Sequence, residues 1–377
     1  MRILVDAHAL GSRKTGNETY IRGLMTGLDA VDYENEYHFL LASADLLEHW
    51  RERFPRFTFH LVPSNPIMRL LYGIPKVLER TKADVLHVQY TLPPLCRTPA
   101  VVTVHDISYE HFPAFFTPGD ALRARLTIPP SARRARRVIT ISNYSKADLA
   151  DTYRLAPDKI VLTPLGVEAM FVPMGKLQDL EAVLAPYEIR GPYVLAVGNL
   201  QPRKNLPALF KAFDALLEQS PELPHRLVIV GQRAWSENAT LRAAACMRQV
   251  GRVVFTGYVP DADLPALYSG ADCFVYPSLF EGFGLPPLEA MACGTAVIAG
   301  KNSAIPEVVG GAGLLVDVSS PEEIARALAT VLGDRALKES LEAAGLLRAR
   351  AFTWERCARE TLVTYQAAAS EAGRREP

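Results

Sequence analysis

Short runs of Val, Ile and Leu alternate with longer segments of helical spacing almost from end to end, and this alternation constrains the fold more than any other feature. In the first half the expected strands are Arg2–Asp6, Tyr37–Ala42, Thr58–Val62, Asp84–Val88, Ala100–Val104, Val138–Ser142 and Lys159–Thr163. Helical patterns fill Asn17–Leu28, Ile67–Arg80, Gly119–Arg136 and Ser145–Tyr153. A second series runs Tyr193–Val197, Arg226–Val230, Arg252–Thr256, Asp272–Tyr276, Thr295–Ala299 and Gly313–Val316. Strands that are apolar throughout are buried on both faces, and helices between them supply the crossovers of a parallel sheet. The chain therefore reads as α/β, with two consecutive doubly wound units.

At 377 residues it is long enough for two separate cores. The irregular stretch Pro164–Pro192 marks the junction, so the expected domains are 1–168 and 169–352. Residues 353–377 remain, with a helix over Thr353–Ala369 that no strand follows; it is expected to pack back on the first domain. Ligands of such sheets bind beyond the carboxyl ends of the strands, which puts the expected site in a central cleft between the units.

Composition narrows the function. With 41 Lys+Arg against 41 Asp+Glu, wholesale nucleic-acid binding is excluded, although local basic patches are not. Five scattered cysteines with no C-x-x-C pair read as reduced thiols of a cytoplasmic protein, not as a disulfide framework or a zinc site. The chain opens directly on a strand, so no signal peptide is expected, and its apolar runs are too short to span a bilayer. Any membrane contact is expected to be peripheral.

Several segments can carry chemistry. In Glu281-Gly-Phe-Gly-Leu-Pro-Pro-Leu-Glu289, a strand ends just before and Pro286 and Pro287 suit the first turn of a helix running to about Cys293. Gly282 and Gly284 let backbone N–H groups approach a ligand, with Phe283 and Leu285 on the same turn, and a helix start favours an anion. Two carboxylates beside such a turn suit a nucleotide sugar; the alternative is a capped helix with a dipole-stabilising Glu289. In Gly198-Asn199-Leu-Gln-Pro-Arg203-Lys204, a glycine after a buried strand is followed by two cations that suit phosphate oxygens, unless they are an ordinary solvated helix start. Gly11 and Gly16 bracket a basic loop after the first strand, without the G-x-G-x-x-G of a dinucleotide fold. His105-Asp106 closes a buried strand; His105 suits a hydrogen bond to a sugar hydroxyl or proton traffic, against a structural histidine. His87, Gln89 and Tyr90 at the neighbouring strand end suit an acceptor site. Asn143 reads as a helix N-cap. Arg123, Arg125, Arg133, Arg134, Arg136 and Arg137 form either a face for anionic lipid or a solvated helix face, and Pro63–Arg80 either an acceptor mouth, a membrane contact or plain packing.

Together these residues resemble the retaining glycosyltransferases of family 4, in the GT-B superfamily, over nearly the whole chain. The E-x7-E signature stands as Glu281…Glu289 and the phosphate-binding pair as Arg203-Lys204, with Gly198, the Gly11/Gly16 loop, His105-Asp106, the Ser142/Ser145 turn and Thr163-Pro-Leu-Gly166-Val-Glu168 in the family's order. The family's adjacent glycines after the first strand are here Gly16-Asn17. The resemblance implies a GT-B fold of two Rossmann-like domains, Glu289 on the ribose, Glu281 on the donor sugar, Arg203 and Lys204 on the diphosphate, and His105 facing the donor sugar. The segments around His87-Val-Gln89-Tyr90 and His105-Asp106-Ile-Ser-Tyr109 look like bacterial mannosyltransferases of surface-polysaccharide synthesis. The expected activity is thus transfer of mannose from GDP-mannose, as substrate and with no cofactor, to a glycan or lipid-linked acceptor. No D-x-D stands at a strand end, so transfer without metal is expected; Asp261-Ala-Asp263 matches the pattern but follows Pro260 at a helix start and reads as capping. An epimerase or hydrolase on the same architecture and a non-catalytic nucleotide-sugar-binding subunit are the alternatives.

Overall fold

The computed structural model describes residues 1–11, 15–175, 180–232 and 238–370. Two compact units divide the chain: Met1–Gly166 together with Thr353–Pro377, and Val167–Phe352. The junction thus falls at Gly166/Val167, at the start of the irregular stretch, and the terminal helix groups with the first unit.

The first unit holds a seven-stranded sheet in the order β3-β2-β1-β4-β5-β6-β7. Its strands are β1 (Arg2–Asp6), β2 (Glu36–Leu41), β3 (Thr58–Leu61), β4 (Val85–Gln89), β5 (Ala100–Thr103), β6 (Arg137–Thr140) and β7 (Ile160–Leu162). Every pairing is parallel, with Val5 opposite both Phe39 and His87. The second unit repeats the pattern as β10-β9-β8-β11-β12-β13, again all parallel. Its strands are β8 (Tyr193–Val197), β9 (Arg226–Val230), β10 (Val253–Gly257), β11 (Cys273–Tyr276), β12 (Val297–Gly300) and β13 (Leu314–Val316). In each sheet the chain first winds outward on one side and then returns to the other, so a crevice forms beyond β1/β4 and beyond β8/β11, where the winding reverses.

The Trp354–Ser370 helix lies against the Thr15–Val31 helix, and glycine makes the approach possible. A Cβ on Gly27 would fall 2.1 Å from the Trp354 carbonyl oxygen, and one on Gly23 2.0 Å from the Trp354 ring. Only a bare backbone fits there. Residues 371–377 of the expected 353–377 segment lie outside the described residues.

Three local expectations need correction. The Ile67–Arg80 helix is broken: Pro66–Met68 passes into a π-turn over Arg69–Gly73 before Ile74–Thr81 resumes. Pro75 has no N–H to donate into the preceding turn, so the ladder widens just ahead of it, with Ile74 N–H bonding to Arg69 O. The cap of the Asn143–Tyr153 helix is Ser142, whose Oγ accepts from Ser145 N–H at 3.0 Å, not Asn143. Asp263 precedes the Leu264–Ser269 helix without a side-chain cap bond and instead accepts from the Tyr187 hydroxyl.

Candidate functional site

In the second unit the sequence brings the chemistry to the crevice between β8 and β11. Gly198 ends β8 at φ +149°, and its N–H donates to Val230 O at 2.8 Å. A Cβ on the facing Gly231 would lie 2.2 Å from Gly198 O, so the two turns close backbone against backbone. Asn199 ties this turn down, its Oδ1 accepting from Gln232 N–H at 3.3 Å. Pro202–Lys204 then forms a single 3-10 turn, and the left-handed Asn205 (φ +53°) precedes the Leu206–Gln219 helix. Arg203 and Lys204 therefore project from a tight turn held at both ends, not from the helix itself.

The loop after β11 meets them. Leu279 N–H donates to Arg203 O at 2.9 Å, and the Arg203 guanidinium donates to Phe280 O at 2.7 Å. Glu281, 8% exposed, is the hub of the cluster. Its Oε2 lies 2.5 Å from Arg203 Nη1, and its Oε1 lies 2.8 Å from Lys204 Nζ. The Tyr276 hydroxyl (2.8 Å) and the Ser278 hydroxyl (2.6 Å) both donate to Oε1. Lys204 also donates to the Tyr276 hydroxyl and sits 4.6 Å from the centre of its ring. Burial alone would raise the Glu281 pKa, but Arg203 and Lys204 hold it well below the usual carboxylate range. Burial pulls Lys204 down to about 8 against the opposing pull of Glu281, with Arg203 a second cation beside it.

Gly282, Phe283 and Gly284 carry the chain to the Leu285–Ala292 helix. Gly284 adopts φ +120°, and a Cβ there would meet Ile305 Cδ1 at 2.7 Å. The Phe283 ring turns inward onto Phe352 at 5.8 Å. Pro286 and Pro287 occupy the first turn, so two of the four amide donors that a helix start normally offers an anion are missing. Charge for an anion comes here from Arg203 and Lys204 more than from the helix. Glu289, half-buried, accepts from the Tyr268 hydroxyl at 2.8 Å. Burial and Glu289 both push the Tyr268 pKa upward.

The polar residues of the first unit are arranged differently. His105 Nε2 lies 2.9 Å from Gln89 Oε1, with Tyr20 edge-on at 4.7 Å and Tyr90 at 5.6 Å. Burial pulls its pKa down to about 4, so it stays neutral at physiological pH. His87 does not line an acceptor surface. It is 0% exposed, with Nδ1 against the Tyr365 hydroxyl (2.6 Å) and Nε2 against Thr103 Oγ1 (2.7 Å). Gln89 is likewise buried, and Tyr90 adopts φ +62° at the strand's end. Asp106 accepts from Ser108 N–H at 2.9 Å and so shapes the turn after His105. Gly16 lies inside a helix and is exposed, with nothing within 4 Å of a built Cβ; the turn glycine is Gly11 (φ +74°), whose N–H bonds Glu18. Residues 12–14 between them, with the basic Arg13 and Lys14, lie outside the described residues.

Sequence reading missed Tyr276, Ser278 and Ser303. The first two stand at the end of β11 within five residues of Glu281, and hydroxyls beside a loop carboxylate at a strand end were the available signal. Ser303, which accepts from Glu281 N–H at 3.0 Å, offered none. In the first unit, Asp6 ends β1 with His8 Nδ1 at 3.0 Å and the buried Arg69 at 3.4 Å. Arg69 reaches it from the π-turn, which no pattern announced. The arginine-rich segment does not form one face: Arg123 pairs with Asp120 and Arg125 with Glu110, while the remaining four line a cavity elsewhere on the unit.

Two doubly wound units with a cationic pair and a carboxylate at the switch point of the second define a GT-B glycosyltransferase. Residues 15–171 match the Glycosyltransferase Family 4 description and residues 187–347 match Glycosyl transferases group 1. Over 269 residues the chain is 35% identical to the O-antigen chain mannosyltransferase B of Escherichia coli, covering 71% of this chain and 70% of that one. It is 30% identical over 223 residues to the serotype-specific mannosyltransferase WbdA of Escherichia coli, covering 59% of this chain but 27% of that longer protein. The fold is that of a sucrose-phosphate synthase from Thermosynechococcus elongatus, with TM-score 0.76 at 23% identity over 98% of this chain and 100% of that one. The chain belongs to glycosyltransferase family 4. Among the described residues no helix is long and apolar enough to cross a membrane.

Proposed function

We propose that this glycosyltransferase moves mannose from GDP-mannose to a glycan or lipid-linked acceptor of a surface polysaccharide, with retention at the anomeric carbon. The observation that carries the reading is the Glu281–Arg203–Lys204 cluster, in a chain 35% identical to an O-antigen chain mannosyltransferase. In this reading the donor diphosphate takes Arg203 and Lys204, which the free chain holds ready on Glu281. Gly198, Asn199 and the Gly282–Leu285 turn give the backbone close approach, Glu289 takes the ribose hydroxyls, and Glu281 the hydroxyls of the sugar. As the bond from sugar to phosphate breaks, negative charge grows on the departing GDP, and cations already fixed in a partly buried site stabilise it without reorganising. The acceptor hydroxyl attacks from the same face and its proton passes to the departing phosphate. Two side-chain cations do here what a divalent metal would otherwise do, so neither metal nor cofactor is required. Glu281 is poorly suited as a covalent nucleophile, because two cations and two hydroxyls already engage its carboxylate. His105, held neutral, supplies a hydrogen bond more readily than a proton. The free thiols of Cys96, Cys246, Cys273, Cys293 and Cys357 fit a cytoplasmic enzyme, with its contact to the membrane's inner face peripheral.

Calorimetric titration with GDP, UDP and ADP, each with and without sugar, tests this. Tightest binding of GDP and GDP-mannose, weakened by Arg203→Ala, is the expected result. A UDP preference would overturn the donor while leaving the site; indifference to Arg203→Ala would overturn the phosphate assignment.

A further inference from the structure

A cavity of about 520 Å³ opens at the amino ends of β5, β6 and β7, at the opposite end of the first sheet from Gln89 and His105. Four residues of β5 separate the two ends by about 13 Å. Ligands of doubly wound sheets that react do so at the carboxyl ends, so whatever fills this cavity is not at the reacting centre.

Its lining is basic. Arg97 comes from the loop before β5, Arg133, Arg134, Arg136 and Arg137 from the end of the Pro118–Arg134 helix and the step into β6, and Lys159 from the turn before β7. Among the described residues the one carboxylate in the lining is Asp158. In a chain whose 41 cations balance 41 anions, such a concentration does not follow from overall charge. Cations at a helix C-terminus offset its dipole, which accounts for Arg133 and Arg134 but not for the cations brought from the other segments.

Three of these cations are oriented by groups that cancel no charge. Arg133 donates to Tyr153 O at 3.3 Å, Arg134 to Pro93 O at 3.3 Å, and Lys159 to Arg133 O at 2.5 Å, all neutral carbonyls. The rim is fixed by the sheet: Arg136 N–H donates to Ala100 O at 2.8 Å. Lys159 is pulled below the ordinary lysine range by burial, then by Arg137 and Arg136, so the cations repel one another across the cavity. A guanidinium anchored through one donor keeps others in the planar fork that matches phosphate oxygens, and the volume falls within the range of small-ligand sites.

The geometry points to a second anion site: this cavity takes an anionic phosphate group, carried either by a free phosphorylated small molecule or by a lipid headgroup. The test must separate it from Arg203 and Lys204, which would also attract phosphate. Calorimetric titration of the full chain with pyrophosphate at low ionic strength is compared for the parent, Arg203→Ala, and Arg97→Gln/Arg136→Gln. Flotation with phosphatidylcholine vesicles, with and without phosphatidylglycerol, reads the lipid source. Arg203→Ala is expected to keep a pyrophosphate site that the double variant weakens by at least about tenfold. Phosphatidylglycerol-dependent flotation lost in the double variant, without a pyrophosphate site, supports the proposal with a headgroup as source. Thermal melting checks that the double variant is folded; if it is not, Arg97→Gln alone, on an exposed loop, is expected to weaken binding about threefold. The proposal is overturned if neither probe binds beyond the site that Arg203→Ala removes, or if the cavity variants leave binding unchanged.

Discussion

At the switch point of the second sheet, a carboxylate, a guanidinium and an ammonium share their hydrogen bonds with two hydroxyls. At the ends of β4 and β5 in the first sheet, the polar groups are two neutral imidazoles, an amide and hydroxyls, joined as Tyr365–His87–Thr103–Tyr20 and His105–Gln89. The two sheets wind in the same order, yet the ends of β8 and β11 carry a buried charge cluster while the imidazoles at the ends of β4 and β5 are neutral, the charges of the first sheet lying at the end of β1 on Asp6 and Arg69. The difference follows from partners. Ions survive burial when each has a counter-ion and further donors already in place, whereas a histidine without an anion beside it is cheaper to bury neutral. Arg203 and Lys204 give the charged cluster the cations that the proposed stabilisation of a leaving phosphate calls for.

The sharpest way to break this comparison is Glu281→Ala. It leaves the partly buried Arg203 and Lys204 without their anion, and a loss of about 3–5 kcal/mol in stability is expected from urea unfolding. A loss below about 1 kcal/mol would mean that solvent screens the cluster. Arg203→Ala is expected to cost about 2–4 kcal/mol in the transfer step, read as kcat/KM, and unchanged turnover would remove Arg203 from the chemistry. Tyr276→Phe deletes a hydroxyl that bonds both Glu281 and Lys204, and should cost about 1.5–3 kcal/mol in stability. His87→Phe, in the other crevice, is expected to cost about 1–2 kcal/mol in stability by stranding Tyr365 and Thr103, with kcat nearly unchanged; a collapse of kcat would restore His87 to the reaction.

Acid separates the two crevices by smaller steps. Burial drives His87 down to about 3, helped by nearby His105, and His105 down to about 4, against an ordinary value of 6.5. Between roughly pH 6.5 and 4 the unfolded chain takes up protons that the folded chain refuses, so stability falls with pH by up to about 1.4 kcal/mol per unit for each histidine. Glu281 acts in the same sense but in a lower window: its depressed pKa contributes stability that is full above the ordinary glutamate value of 4.5 and is lost only as pH falls below it. Urea midpoints from pH 7.5 to 4.5 should slope downward, and less steeply in His105→Gln. A flat parent profile would mean the imidazoles are hydrated.

Much of this was legible in one dimension. The two strand series stood out because a strand buried on both faces must be apolar throughout, a pattern that depends on local burial and not on partners. Arg203, Lys204 and Glu281 were legible because each follows a strand end. His87 was misread for the same reason: its position at a strand end was visible, but the Tyr365 hydroxyl that closes over it comes from 278 residues away. The arginine run of 123–137 was visible as a run, but not that Asp120 and Glu110 neutralise its beginning while Arg97 and Lys159 join its end.

The amino-acid sequence by itself determined the α/β class, the two parallel sheets and the residues that bring charge to the second crevice, because hydrophobic period and turn chemistry act over a few residues. Tertiary structure alone decided which polar groups are ions and which are neutral. Glu281 is an anion because two cations from 77 and 78 residues earlier in the chain lie against it, and His105 is neutral because burial disfavours its charged form. The charge of a buried group is a property of its neighbours, and neighbours are settled only when the chain has folded.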